Sequence, residues 1–147
     1  DMSTRTRLAA GTRLYHGTRT CGTFAVPDGP AWFAFDAASA LAWAHWRTGP
    51  PPGRHFGEDA RVLVLDVADD LDLLDTRSRA GWVACGLEFL GDAEPLMPDL
   101  AREFADAGEA GWLGGREVLL TRPADHLQPA GILRPEQNTG ALTPEPR

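Results

Sequence analysis

The spacing of hydrophobic and polar positions changes period several times along the chain, and each change marks an element. Residues 12–16 hold an apolar centre, Leu14-Tyr15, that reads as a short strand, and Gly17-Thr18 then reads as the start of a turn. Residues 31–35 form an aromatic-rich run between Pro30 and Asp36, which suits a second strand. Asp36 is a good helix N-cap, and residues 37–46 are rich in helix formers. Ala40, Trp43 and Ala44 fall at helical spacing and give that helix an inner face. Residues 62–67 are a continuous apolar strand broken only by Asp66. Leu71, Leu73 and Leu74 lie among aspartates and read as a turn leading into a helix. Residues 80–90 and 98–107 predict helices, 117–120 a short strand after the Gly114-Gly115 turn, and 128–133 a last strand. Strands that do not alternate strictly with helices argue for an α+β fold over a doubly wound sheet.

The punctuation between these elements sets the organisation. Residues 1–11 are polar and read as a loose N-terminal arm, 12–134 as one domain, and 135–147, rich in proline, threonine and glycine, as a flexible tail. Residues 48–59 hold three consecutive prolines and three glycines and read as a flexible loop long enough to be functional. A chain of 147 residues with 43% hydrophobic content can bury a core without metal or disulfide staples.

Charge and cysteine usage narrow the partners. The net charge of -7 disfavours a broad nucleic-acid footprint and suits a protein or small-molecule partner. The two cysteines, Cys21 and Cys85, lack metal-ligand spacing and are too few for a disulfide scaffold, so they read as reduced thiols in a cytoplasm. The scattered Cys21, His45, His55 and His126 argue against a metal centre. No apolar run approaches the length of a membrane span. The first residues carry no hydrophobic signal core, which points to the cytoplasm and leaves a secreted effector open.

Three positions could carry chemistry. His16 closes a strand and is followed by Gly17 and Thr18; there it can donate a hydrogen bond to a ligand hydroxyl, while a glycine lets a ligand approach the backbone. Trp32, Phe33, Phe35, Trp43 and Trp46 offer flat faces to a heterocycle, although core packing is the commoner fate of clustered aromatics. Phe33 and Phe35 share one side of their strand and Trp32 faces the other. Glu117 opens an apolar strand beside glycines, as a surface charge or as a placed carboxylate.

Taken together, these segments resemble the ADP-ribosyltransferase fold, in its diphtheria-toxin-like branch that includes the poly(ADP-ribose) polymerases. That branch carries a His-Tyr-Glu signature on three strands. Tyr15-His16-Gly17-Thr18 looks like the first motif, Trp32-Phe33-Ala34-Phe35-Asp36 with Ala40 and Trp43 like the second, and Glu117-Val118-Leu119-Leu120 like the third. Residues 61–75 also resemble compact bacterial and phage members.

The resemblance implies a split antiparallel sheet with flanking helices and NAD as co-substrate, with no metal. In that picture His16 hydrogen-bonds the adenine-side ribose, and Gly17, with Thr18 beside it, holds the nicotinamide carboxamide through backbone groups. Phe33, where the family has tyrosine, stacks on nicotinamide, and Trp43 closes the other side of the ring. Ser39 stands near the place of a nicotinamide-binding serine. Glu117 stabilises the oxocarbenium-like charge that develops as nicotinamide leaves. A lone glutamate preceded by Arg116 lacks the paired acids of the arginine-modifying branch. The acceptor stays open, with a protein or small molecule favoured over nucleic acid and residues 48–59 as the candidate acceptor loop. Open too are hydrolysis of NAD by water, a non-catalytic NAD-binding module, and an antitoxin or immunity partner.

Overall fold

The computed structural model describes residues 5–19, 25–46, 60–136 and 141–145. The described residues form an α+β arrangement of nine strands and four helices. In chain order these are β1 (Arg5–Leu8), β2 (Arg13–Arg19), β3 (Ala31–Ala34), α1 (Ala37–Trp46), β4 (Ala60–Val67), β5 (Leu71–Asp75), α2 (Arg79–Leu90), α3 (Met97–Asp106), β6 (Gly111–Gly114), β7 (Glu117–Leu120), α4 (Pro123–His126), β8 (Leu127–Pro135) and β9 (Leu142–Pro144). The strands make one sheet in the order β1-β5-β6-β7-β3-β2-β4-β8-β9. Every neighbouring pair is antiparallel except β5 with β6.

The sheet is nearly cut in two at its middle. Strands β2 and β3 share a single residue pair, Tyr15↔Ala34, whereas β2 pairs with β4 over seven residues. Inward side chains from both halves meet in one cluster that includes Leu14, Phe33, Leu63, Leu73, Val118 and Leu127. The sheet therefore curls around a shared core, and burying those side chains from water drives the curl. On the outer side, α2 and α3 cover β5, β6 and β7 through Cys85, Leu100, Phe104 and Trp112. Helix α1 covers the outer side of β2 and β4 through Ala40 and Leu41 against Ala60 and Val62.

The helices start where their caps allow. The Ser39 backbone N–H donates to Asp36 Oδ1 at 2.7 Å, which satisfies an otherwise open amide at the start of α1. Ser78 accepts from the Gly81 N–H at 3.0 Å and opens α2, and Gly91, at φ +66°, closes it in the left-handed region. Pro98 stands in the first turn of α3, where its missing N–H costs nothing.

Several expectations are corrected by tertiary pairing. Residues 5–8 are strand β1 on the sheet edge, not part of a loose arm, because β5 supplies Leu71 to Leu74 as partners. Residues 71–75 are a strand and not a turn: Leu71 and Leu73 face the core while Asp72 is exposed, a period of two. Residues 142–144 are strand β9, paired with the end of β8, so the tail is ordered there. Gly17 and Thr18 continue β2 in register with Val62 and Arg61 and do not turn. Residues 48–59 lie outside the described residues. Among the described residues no helix is long and apolar enough to cross a membrane.

Candidate functional site

The three motif strands are neighbours. Strand β7 pairs with β3 and β3 with β2, so Glu117, Ala34 and Tyr15 stand in one cross-strand row at the centre of the sheet. With strands spaced about 4.8 Å apart, the Cα atoms of Glu117 and Tyr15 are roughly 10 Å apart. Cross-strand partners share a face, so Tyr15, Ala34 and Glu117 project to the outer side, as does Trp32, which is opposite Leu119.

His16 lies in the seam where β2 and β3 part. Its Nδ1 is 2.8 Å from the Trp32 carbonyl oxygen, so the ring donates there and carries its proton on Nδ1. The side chain thus replaces the backbone ladder that would continue beyond Tyr15↔Ala34. The imidazole also packs at 5.2 Å, centroid to centroid, on the Phe33 ring. These two contacts fix the ring's position and leave His16 only 7% exposed.

Gly17 has two separate jobs by geometry. A Cβ there would come within 1.8 Å of the Ala40 carbonyl oxygen, so only glycine lets α1 lie this close to β2. Its backbone points elsewhere. The Val67 N–H donates to the Thr12 carbonyl at 3.0 Å, so Thr12 turns its peptide groups toward β4. The alternation of a strand then turns Leu14 and His16 toward β4, and Tyr15 and Gly17 toward β3. Because β3 pairs with β2 only at Tyr15, the Gly17 N–H and carbonyl face the opening of the seam. Thr18 follows, half-buried and opposite Arg61.

Glu117 begins β7 after the tight turn at Gly115, whose φ is +65°. It is half-buried, and burial pushes its carboxyl above the ordinary range. That desolvation makes the carboxylate a stronger electrostatic partner for any cation brought beside it.

The other expected residues are distributed less simply. Phe33 is 0% exposed and belongs to the inner core, so it has no free face for a ligand; this corrects the expected stacking role. The pleat explains it, because Phe33 and Glu117 project to opposite sides. Of the Trp32-Phe33 pair, Trp32 is the one on the Glu117 side, half-buried and packed edge-on against Trp112 at 5.5 Å. Alternation in residues 31–35 separates Trp32 from Phe33, but which of the two faces Glu117 is set by the β3–β7 register. Trp43 is half-buried on α1 beside Tyr15, Ala34 and Ala40. The Ser39 hydroxyl donates to Asp36 Oδ2 at 2.9 Å, so in this structure Ser39 is engaged with the Asp36 cap of α1. Its two bonds hold the Asp36 carboxyl below its usual range, with a smaller contribution from Arg116.

Among the described residues no three His, Cys, Asp or Glu side chains come together as a metal centre. Cys85 is fully buried, and burial pushes its thiol up to about 11. Comparison with known protein families, with curated proteins and with solved structures finds no match.

Proposed function

We propose that the protein is an NAD-dependent ADP-ribosyltransferase of the His-Tyr-Glu type, with its pocket at the seam between β2 and β3. The observation that carries this reading is the adjacency of β2, β3 and β7, which sets the strands bearing His16, Trp32 and Glu117 side by side at the seam, with Trp32 and Glu117 on the outer face and His16 on the inner. A sheet split beside its central strands is also what the sequence resemblance implies for this fold.

In this reading the Gly17 peptide groups bind the nicotinamide carboxamide, and Trp32, rather than Phe33, presents an aromatic wall. His16, oriented through Nδ1, meets the adenine-side ribose with Nε2. Glu117 stands by the nicotinamide ribose. As the C1′–N bond breaks, nicotinamide leaves with the bonding pair and positive charge grows on the ribose. A carboxylate fixed beforehand stabilises that charge without reorganising. The acceptor nucleophile then bonds to C1′ and releases its proton. The acceptor is a protein or small molecule, in keeping with the acidic chain.

The test is release of nicotinamide from NAD. The wild-type protein should release it, and Glu117→Ala should slow release by about 10²- to 10³-fold with an unchanged circular dichroism spectrum. A folded Glu117→Ala protein working at the wild-type rate, or a wild-type protein that releases none, would overturn the proposal. Tagged NAD added to a cell lysate separates the acceptors: a labelled band marks transfer to protein, and free ADP-ribose alone marks hydrolysis.

A further inference from the structure

We propose that Asp36, fixed by Ser39 at the start of α1, is a positioning residue: it draws the Arg116 guanidinium toward itself and so leaves Glu117 without a counterion until positive charge develops on the ribose. The inference rests on the NAD reading above and deepens it.

Register isolates Glu117 from other charges. Its cross-strand partners are Ala34 on β3 and Gly114 on β6, neither of which can ionise. Two residues along, the same face carries Trp32, Trp112 and Leu119. The α2–α3 cover adds Leu100, Phe104 and Cys85, whose thiol is protonated at neutral pH. Tyr15 stands beyond Ala34 in the same row. None of the described residues hydrogen-bonds or ion-pairs with the Glu117 side chain.

The cation next to it in the chain is Arg116, in the Gly115-Arg116 turn that leads into β7. Continued beyond Ala34↔Glu117, the β3–β7 register brings Phe35 alongside Arg116 and Asp36 alongside Gly115. Arg116 therefore has a carboxyl on either side of it, Asp36 and Glu117. Asp36 is the one held in place: the Ser39 N–H donates to its Oδ1 at 2.7 Å and the Ser39 hydroxyl to its Oδ2 at 2.9 Å. The two carboxyls respond differently. The Ser39 bonds, and after them the Arg116 charge, hold Asp36 below its usual range, whereas burial alone sets Glu117 above its own. The guanidinium thus acts on Asp36 rather than on its chain neighbour. A counterion bound to Glu117 would compete with the developing ribose cation, and the carboxylate would have to release one partner to gain the other.

Asparagine caps a helix as well as aspartate does, so Asp36→Asn removes the charge and keeps the start of α1. The released guanidinium should then pair with Glu117, lower the pH at which its carboxyl titrates by NMR, and slow nicotinamide release about tenfold at pH 7. Adding Arg116→Gln to Asp36→Asn should return both readings to the wild-type values, which a merely structural loss at α1 would not do. If Asp36→Asn leaves the Glu117 titration unchanged, or if the double variant behaves like Asp36→Asn, the proposal falls while the NAD reading stands. If no form of the protein releases nicotinamide, both fall.

Discussion

At Glu117 a carboxyl is held away from water and pushed above its ordinary range. The neutral form is therefore favoured in the fold relative to the unfolded chain. A group shifted upward contributes stability that is fully present below its unfolded value, near 4.3, and lost as pH rises through the folded value. At pH 7 the ionised Glu117 thus costs stability. Glu117→Gln should melt higher than wild type at pH 7, and the gap should close below about pH 4. Equal melting curves at both pH values would show that burial imposes no such cost. A stabilising substitution that also removes activity is what a placed functional carboxylate predicts, and what a surface glutamate does not. His16 is built differently: its Nδ1 bond to the Trp32 carbonyl and its contact with Phe33 hold the ring by structure, before any ligand arrives.

Among the elements, β2 and α1 form a tight joint. The Ala40 carbonyl oxygen occupies the space where a side chain at position 17 would begin. Gly17→Ala must push α1 off β2, and because Tyr15 and Trp43 belong to the same cluster, the shift spreads through it. The expected loss is about 3 kcal/mol, seen as a melting temperature lower by roughly 10 °C. A Gly17→Ala protein that melts like wild type would mean that the helix moves freely. Helix α1 was legible in the sequence because an aspartate cap and a run of helix formers act locally. Strand β5 was not, because its leucines and aspartates acquire a meaning only when β1 and β6 flank them. Strand β6, with glycine at both ends, has little intrinsic strand preference and exists through its pairing with β7 and β5.

For the molecule as a whole, the curled sheet and its two helical covers bury Cys85 at the centre of the cluster with Leu100, Phe104 and Trp112. A thiol raised to about 11 is almost entirely protonated at neutral pH and is a poor nucleophile. In a Cys21→Ser protein, Cys85 should resist a thiol reagent in buffer and react fully in denaturant. Rapid labelling of the native protein would show that α2 and α3 open readily. The same test reports global stability, because reaching Cys85 requires the helical cover to come away.

The sequence by itself placed helices α1, α2 and α3 and the apolar runs, and it singled out candidate site residues: His16, Gly17, Thr18, Phe33, Ser39, Trp43 and Glu117. These follow from local causes, such as capping, periodicity and side-chain type. Only the tertiary structure decided that β2, β3 and β7 are neighbours, that the sheet parts between two of them, and that Trp32 rather than Phe33 shares a face with Glu117. Pairing between strands distant in sequence depends on how all the hydrophobic faces are buried at once. The face a side chain takes is then set by its partner's register, and no window of sequence contains that partner.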